Sequence, residues 1–127
     1  MTTRKRILFV EDEWLIRILH ADALRDAGYE VVEAGTGDEG FAIVQADGAF
    51  DLLITDIKMP GTLSGLDLAA GWKERCPAGQ VLISSAHLRP DRMDAADELI
   101  TKPYHDVELL RVVERLIGTC QSPCAAP

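Results

Sequence analysis

The sequence predicts an α/β domain organised as a doubly wound, five-stranded parallel sheet. Three observations predict it. Short strand-like runs recur at residues 7–10, 29–34, 51–55, 80–84 and 98–101, and those at 7–10 and 51–55 are apolar enough to be strands buried on both faces. Stretches with helical apolar spacing lie between most of them, bounded by Gly28, Gly48, Pro60-Gly61 and Pro77-Ala78-Gly79. At 127 residues and 47% hydrophobic content, the chain can bury one core of its own beneath helices on both faces.

Taken in order, Ile7-Leu8-Phe9-Val10 is the first strand and runs directly into Glu11-Asp12-Glu13. Residues 14–27 place Leu15, Ile16, Leu19, Ala23, Leu24 and Ala27 at helical spacing, with Gly28 as the stop. Residues 29–34 form the second strand. Thr36 or Gly37 then leads into a helix through about residue 46, burying Phe41 and Ile43 or Val44. The third strand, residues 51–55, delivers Asp56 at its end, and Met59-Pro60-Gly61 breaks the chain there. Ser64 is placed to cap a helix over residues 65–75.

Residues 80–84 are the fourth strand, with Ser85-Ala86 at its tip. Only residues 87–97 separate that tip from the fifth strand, residues 98–101. A parallel crossover normally takes about a dozen residues or more. The fourth helix is therefore predicted to be shortened or irregular, one or two turns over residues 91–96 or a loop. Lys102-Pro103 follows the fifth strand, and the last helix runs from about His105 or Asp106 to Ile117, ended by Gly118. Residues 5–118 are expected to form the domain, and the small, uncharged residues 119–127 a disordered or extended tail.

Composition bounds the function. With 13 basic and 21 acidic side chains the net charge is −8, which argues against nucleic-acid binding. Arg4-Lys5-Arg6 is the only basic run and reads as a solvated flank. No apolar stretch reaches membrane-spanning length and no signal peptide is visible, so a cytoplasmic protein without a membrane partner is expected. Cys76, Cys120 and Cys124 read as reduced thiols, because a C-x3-C pair without histidines is a poor zinc signature.

The flavodoxin-like strand order 2-1-3-4-5 would set strands one, three and four side by side. Three strand tips then meet: Glu11-Asp12, Asp56 and Ser85. Converging carboxylates repel one another, and a hard divalent cation removes the conflict. Asp12 and Asp56 are the expected direct Mg²⁺ ligands, Glu11 a ligand through water, and the Lys58 backbone carbonyl completes the protein share. Lys102 adds an ammonium, Ser85 a hydroxyl and Ala86 a backbone N–H. Together these groups suit a three-oxygen anion carried on Asp56, that is, phosphoryl transfer to a carboxylate nucleophile.

Val10-Glu11-Asp12-Glu13, Asp56 followed by Lys58-Met59-Pro60-Gly61, Ser85-Ala86 and Lys102-Pro103 resemble, in this order, the receiver domain of bacterial two-component response regulators. Each motif alone is common; four at matching spacing over nearly the whole chain are specific. The resemblance implies that Asp56 takes a phosphoryl group from a histidine kinase or histidine phosphotransfer protein. It implies Glu11 and Asp12 as the acidic pair, Ser85 as the switch hydroxyl, Lys102 as the phosphate-sensing lysine, and a cis Lys102-Pro103 bond. It also implies Lys58 and His87 as modulators of phosphoryl lifetime.

Three departures stand out. Leu99 occupies the position where receivers usually carry an aromatic switch residue, the connection after Ser85 is short, and the loop from Gly61 to Gly65 has one residue more than usual. The resemblance implies a stand-alone, non-enzymatic signalling switch that acts through a protein partner. A phosphate sink or relay intermediate is the nearest variant. A haloacid-dehalogenase-type Mg²⁺ phosphohydrolase is opposed by Lys58, which stands where such enzymes place a second acid. A flavin-binding flavodoxin is opposed by the absence of a Ser/Thr-rich phosphate loop after the first strand. In the last helix, Val107, Leu110, Val113 or Glu114, and Ile117 make one apolar stripe, and Leu109, Val112 and Leu116 another. The surplus stripe would offer a homodimer or docking surface.

Overall fold

A computed structural model describes residues 4–57, 61–86 and 96–118. Five strands, β1 (Arg6–Val10), β2 (Glu30–Ala34), β3 (Leu52–Asp56), β4 (Gln80–Ser85) and β5 (Glu98–Thr101), form one parallel sheet. Their order is β2-β1-β3-β4-β5, as the sequence predicts. Four helices are described: α1 (Trp14–Asp26), α2 (Gly37–Ala46), α3 (Gly65–Arg75) and α4 (Asp106–Ile117). The crossover where a shortened fourth helix was expected lies outside the described residues, as do Cys120, Cys124 and the tail.

The period-two alternation of strand side chains divides the core into two layers. Ile7, Phe9, Leu52, Ile54, Leu82 and Ile100 face one way, against Ala21 and Leu24 of α1 and Leu109 and Val113 of α4. Leu8, Val10, Leu53, Val81 and Ile83 face the other way, against Val44 of α2 and Leu68, Ala69 and Trp72 of α3. Residues 52–54 and 81–83 are fully buried, which is why these strands read as continuous apolar runs. Cys76 is buried and donates its thiol hydrogen to the Gly48 carbonyl.

The helix termini follow local chemistry. Ser64 and Asp67 form a reciprocal capping box at α3. Thr36 caps α2 by accepting from the Glu39 N–H. Beyond α1, Gly28 takes φ +102°, a left-handed conformation that glycine adopts without a Cβ penalty.

Two helix faces differ from expectation. Leu15 and Leu19, assigned to the buried stripe of α1, are more than half exposed, and Ala27 is exposed too. The inward face instead includes Arg17 and His20, whose polar groups have partners. Arg17 donates to the Glu11 carbonyl and pairs with Glu33, while His20 stacks on Tyr104 and pairs with Asp106. In α4, Leu109 and Val113 are buried, and Leu110, Val112, Leu116 and Ile117 pack around them. Both stripes thus contribute to one buried face; among their apolar residues only Val107 is largely exposed, and Glu114, the alternative to Val113, is exposed too.

Candidate functional site

The site lies at the C-terminal ends of β1, β3, β4 and β5. Glu11 prolongs the pairing of β1 with β2 through its N–H to the Ala34 carbonyl, and this fixes it at the strand tip. Its side chain is buried: Oε1 accepts from Lys102 Nζ at 2.8 Å and Oε2 from the Glu13 N–H at 3.2 Å. Asp12, one residue on, is exposed. Oxygen atoms of Glu11, Asp12 and Asp56 all come within 4.8 Å of one another.

Asp56 ends β3 and both of its carboxylate oxygens are engaged. Oδ2 accepts from Lys102 Nζ at 2.7 Å, and Oδ1 accepts from the Ser84 hydroxyl at 2.9 Å. The ammonium reaches this point because the Lys102 N–H donates to the Ser85 carbonyl at 2.8 Å, continuing the β4–β5 pairing past its last register position. The Lys102-Pro103 peptide is cis, as the resemblance implied. Behind Asp56 the backbone is tightly enclosed. A Cβ on Gly65 would lie 1.6 Å from the Asp56 carbonyl oxygen, and the Gly65 N–H donates to the Ile57 carbonyl at 2.7 Å. The Asp38 carboxylate holds the preceding loop by accepting from the Thr62 and Leu63 N–H groups.

Electrostatics follow from burial. Desolvation works against the charge of Lys102, but hydrogen bonds to Asp56 and Glu11 outweigh it and hold the ammonium above its ordinary range. Burial, reinforced by Asp56, pushes the Glu11 carboxyl up to about 7 against the opposing pull of Lys102 and the Glu13 N–H. One ammonium thus only partly balances two buried carboxylates. The donor set consists of hard carboxylate oxygens crowded at a partly solvated rim, which fits a small divalent cation such as Mg²⁺.

Of the other residues singled out in the sequence, Ser85 is buried at the end of β4 and Ala86 is exposed just beyond it. Leu99 is partly buried against the α2/α3 side of the core. Lys58 and His87 lie outside the described residues. The structure also brings in two residues that the sequence reading passed over. Ser84 pairs in register with Asp56 across β3 and β4 and shares its face of the sheet, whereas Ser85 occupies the alternate position. Tyr104 is buried beneath the cluster, its hydroxyl near Ser84 but outside hydrogen-bonding geometry, and burial raises its phenol. A tandem of hydroxyls closing an apolar strand, combined with the β3–β4 register, is the signal that would have found Ser84.

Comparison with known proteins agrees with this geometry. Residues 7–114 match the family described as the response regulator receiver domain. The chain is 31% identical to the response regulator receiver protein CpdR of Brucella abortus, covering 89% of this chain and 97% of that one. It is 35% identical to the DNA-binding transcriptional regulator NtrC of Azospirillum brasilense over 95% of this chain, but spans only 26% of that protein. Among solved structures, the response regulator TrrA of Thermotoga maritima superposes with a TM-score of 0.79 at 36% identity, covering 88% of this chain and 98% of that one. The receiver domain of the hybrid histidine kinase CckA gives 0.78 at 34% identity, with 88% and 98% covered. The chain belongs to the response regulator receiver domain family.

Proposed function

We propose that Asp56 is a phosphoacceptor, receiving a phosphoryl group from a phosphohistidine on a histidine kinase or histidine phosphotransfer protein. The observation that carries this reading is the pairing of Asp56 Oδ2 with Lys102 Nζ at 2.7 Å, within a cluster of three carboxylates that Asp56 forms with Glu11 and Asp12. An Asp56 oxygen attacks phosphorus, the P–N bond breaks, and its electron pair stays with the departing imidazole. Lys102 supplies fixed positive charge where the phosphoryl oxygens arrive. Glu11 and Asp12, with Asp56, would hold Mg²⁺, which supplies charge neutralisation of the transferring group when bound. The TrrA structure that this chain resembles was solved with Mg²⁺-BeF, which supports the same chemistry here.

The donor needs a landing surface beside the site, and α1 offers one. Trp14, Leu15, Ile18 and Leu19 are exposed on a helix that begins two residues after Asp12. Large apolar side chains grouped in this way mark a protein contact. A signalling switch acting through a protein partner is the leading reading, and a relay or phosphate-sink role, its nearest variant, gains weight from Leu99, which gives the β5 position no aromatic ring to rotate. Transfer of label from radiolabelled acetyl phosphate, abolished by chelating divalent cations, tests the acceptor reading. Failure to acquire label in the presence of Mg²⁺ removes it.

A further inference from the structure

Ser84 is 1% exposed, and its hydroxyl donates to Asp56 Oδ1 from the buried side of the carboxylate. Oδ2 is taken instead by Lys102, 2.7 Å away, whose side chain retains a quarter of its exposure. The two Asp56 oxygens are therefore inequivalent: one is covered by a neutral donor inside the protein, the other is held by a partly exposed ammonium. We propose that Ser84 is a positioning residue for Asp56, its hydroxyl reserving Oδ1 so that Oδ2 carries the phosphoryl group and then stabilising the carboxylate as that group departs. This rests on the reading of Asp56 as phosphoacceptor and extends it to the lifetime of the phosphorylated state.

The chemistry sets the direction. In the acyl phosphate, Oδ1 is a carbonyl oxygen of an uncharged acyl group, and Ser84 donates to a weak acceptor. During hydrolysis water attacks phosphorus, the P–Oδ2 bond breaks, and its electron pair remains on Asp56 as the carboxylate is restored. Both protons of the water leave with phosphate as dihydrogen phosphate. Negative charge grows on Oδ1 as well as Oδ2, so the Ser84 hydrogen bond becomes charge-assisted as the bond breaks. A hydrogen bond that is stronger at the transition state than before it accelerates the step. Charged acceptors gain roughly 1 kcal/mol more than neutral ones, which corresponds to about a five- to tenfold rate effect. Ser84 therefore shortens the phosphorylated state, and its hydroxyl is distinct from that of Ser85 on the alternate position of β4.

Three substitutions test this. Ser84→Thr keeps the hydroxyl, Ser84→Val is its near-isostere without one, and Ser84→Ala removes the hydroxyl without added bulk. Each protein is labelled with acetyl phosphate and Mg²⁺, freed of donor, and followed by phosphate release at neutral pH. Decay is expected to slow about five- to tenfold in Val and Ala and to stay within about twofold of the unsubstituted protein in Thr. A merely structural Ser84 would lower thermal stability without separating Thr from the others in decay rate. Decay of both Val and Ala at the unsubstituted rate, or of Thr as slowly as Val, overturns the proposal. If Val does not fold, Ala against Thr decides. Label on Asp56→Asn would instead overturn the acceptor reading on which the proposal rests.

Discussion

Lys102 Nζ lies 2.7 Å from Asp56 Oδ2, although 46 residues and an intervening strand separate the two. The contact comes from topology: β5 lies beyond β4, and Lys102 bridges the tip of β4 by binding the Ser85 carbonyl through its own N–H. The same ammonium binds Glu11, so one cation holds two buried carboxylates. Removing it leaves them opposed. Lys102→Met is expected to lower stability by about 1–2 kcal/mol at neutral pH without divalent cations, below the usual cost of breaking a fully buried pair because Lys102 is partly solvated. Added Mg²⁺ should return much of the loss. Chemical denaturation with and without Mg²⁺ measures both, and an unchanged midpoint would show that the pairing carries no net stability.

Glu11 makes the site sensitive to pH. Its carboxyl is pushed up to about 7 from an ordinary 4.5, first by burial and then by Asp56. Between about pH 4.5 and 7 the folded protein thus holds a proton that the unfolded chain has already released. The stability linked to that proton is fully present below about pH 4.5 and is lost as pH rises through about 7. Without divalent cations the contribution of this group should decline across that window, and Mg²⁺, which favours the ionised form, should flatten the decline. Thermal melts across the window, comparing the native chain with Glu11→Gln, isolate the effect. Equal pH slopes in the two proteins would remove it.

Gly65 is the position most intolerant of a side chain near the site. Its added Cβ would meet the Asp56 carbonyl at 1.6 Å, and that atom is backbone and cannot swing aside. Gly65→Ala is expected to cost about 3 kcal/mol and to displace the first turn of α3. A denaturation midpoint near that of the unsubstituted protein would contradict this packing.

The exposed face of α1 separates docking from chemistry. Leu15→Asp and Leu19→Asp change residues more than half exposed, so the fold should be little affected. Phosphoryl transfer from a protein donor should fall about tenfold or more, while labelling by acetyl phosphate stays unchanged. Equal loss with both donors would mean that the substitutions damage the site itself.

The central strands were legible because β1, β3 and β4 are buried on both faces and read as apolar runs, and βα units then allow few arrangements for the edge strands β2 and β5. The convergence of Glu11, Asp12, Asp56 and Lys102 followed from that order. The rotation of α1 was not legible, because Arg17 and His20 point inward with dedicated partners while Leu15 and Leu19 face out. Apolar spacing counts such residues on the wrong face. Ser84 was hidden for another reason. Adjacent strand residues face opposite ways, and only the pairing of Asp56 with Ser84 reveals which serine shares the carboxylate's side.

Intact-mass measurement after exposure to acetyl phosphate and Mg²⁺ tests the central claim most directly. The unsubstituted chain should gain the mass of a single phosphoryl group, and Asp56→Asn should gain none. No gain in the native chain, or an equal gain in Asp56→Asn, would contradict the assignment of Asp56 as the acceptor.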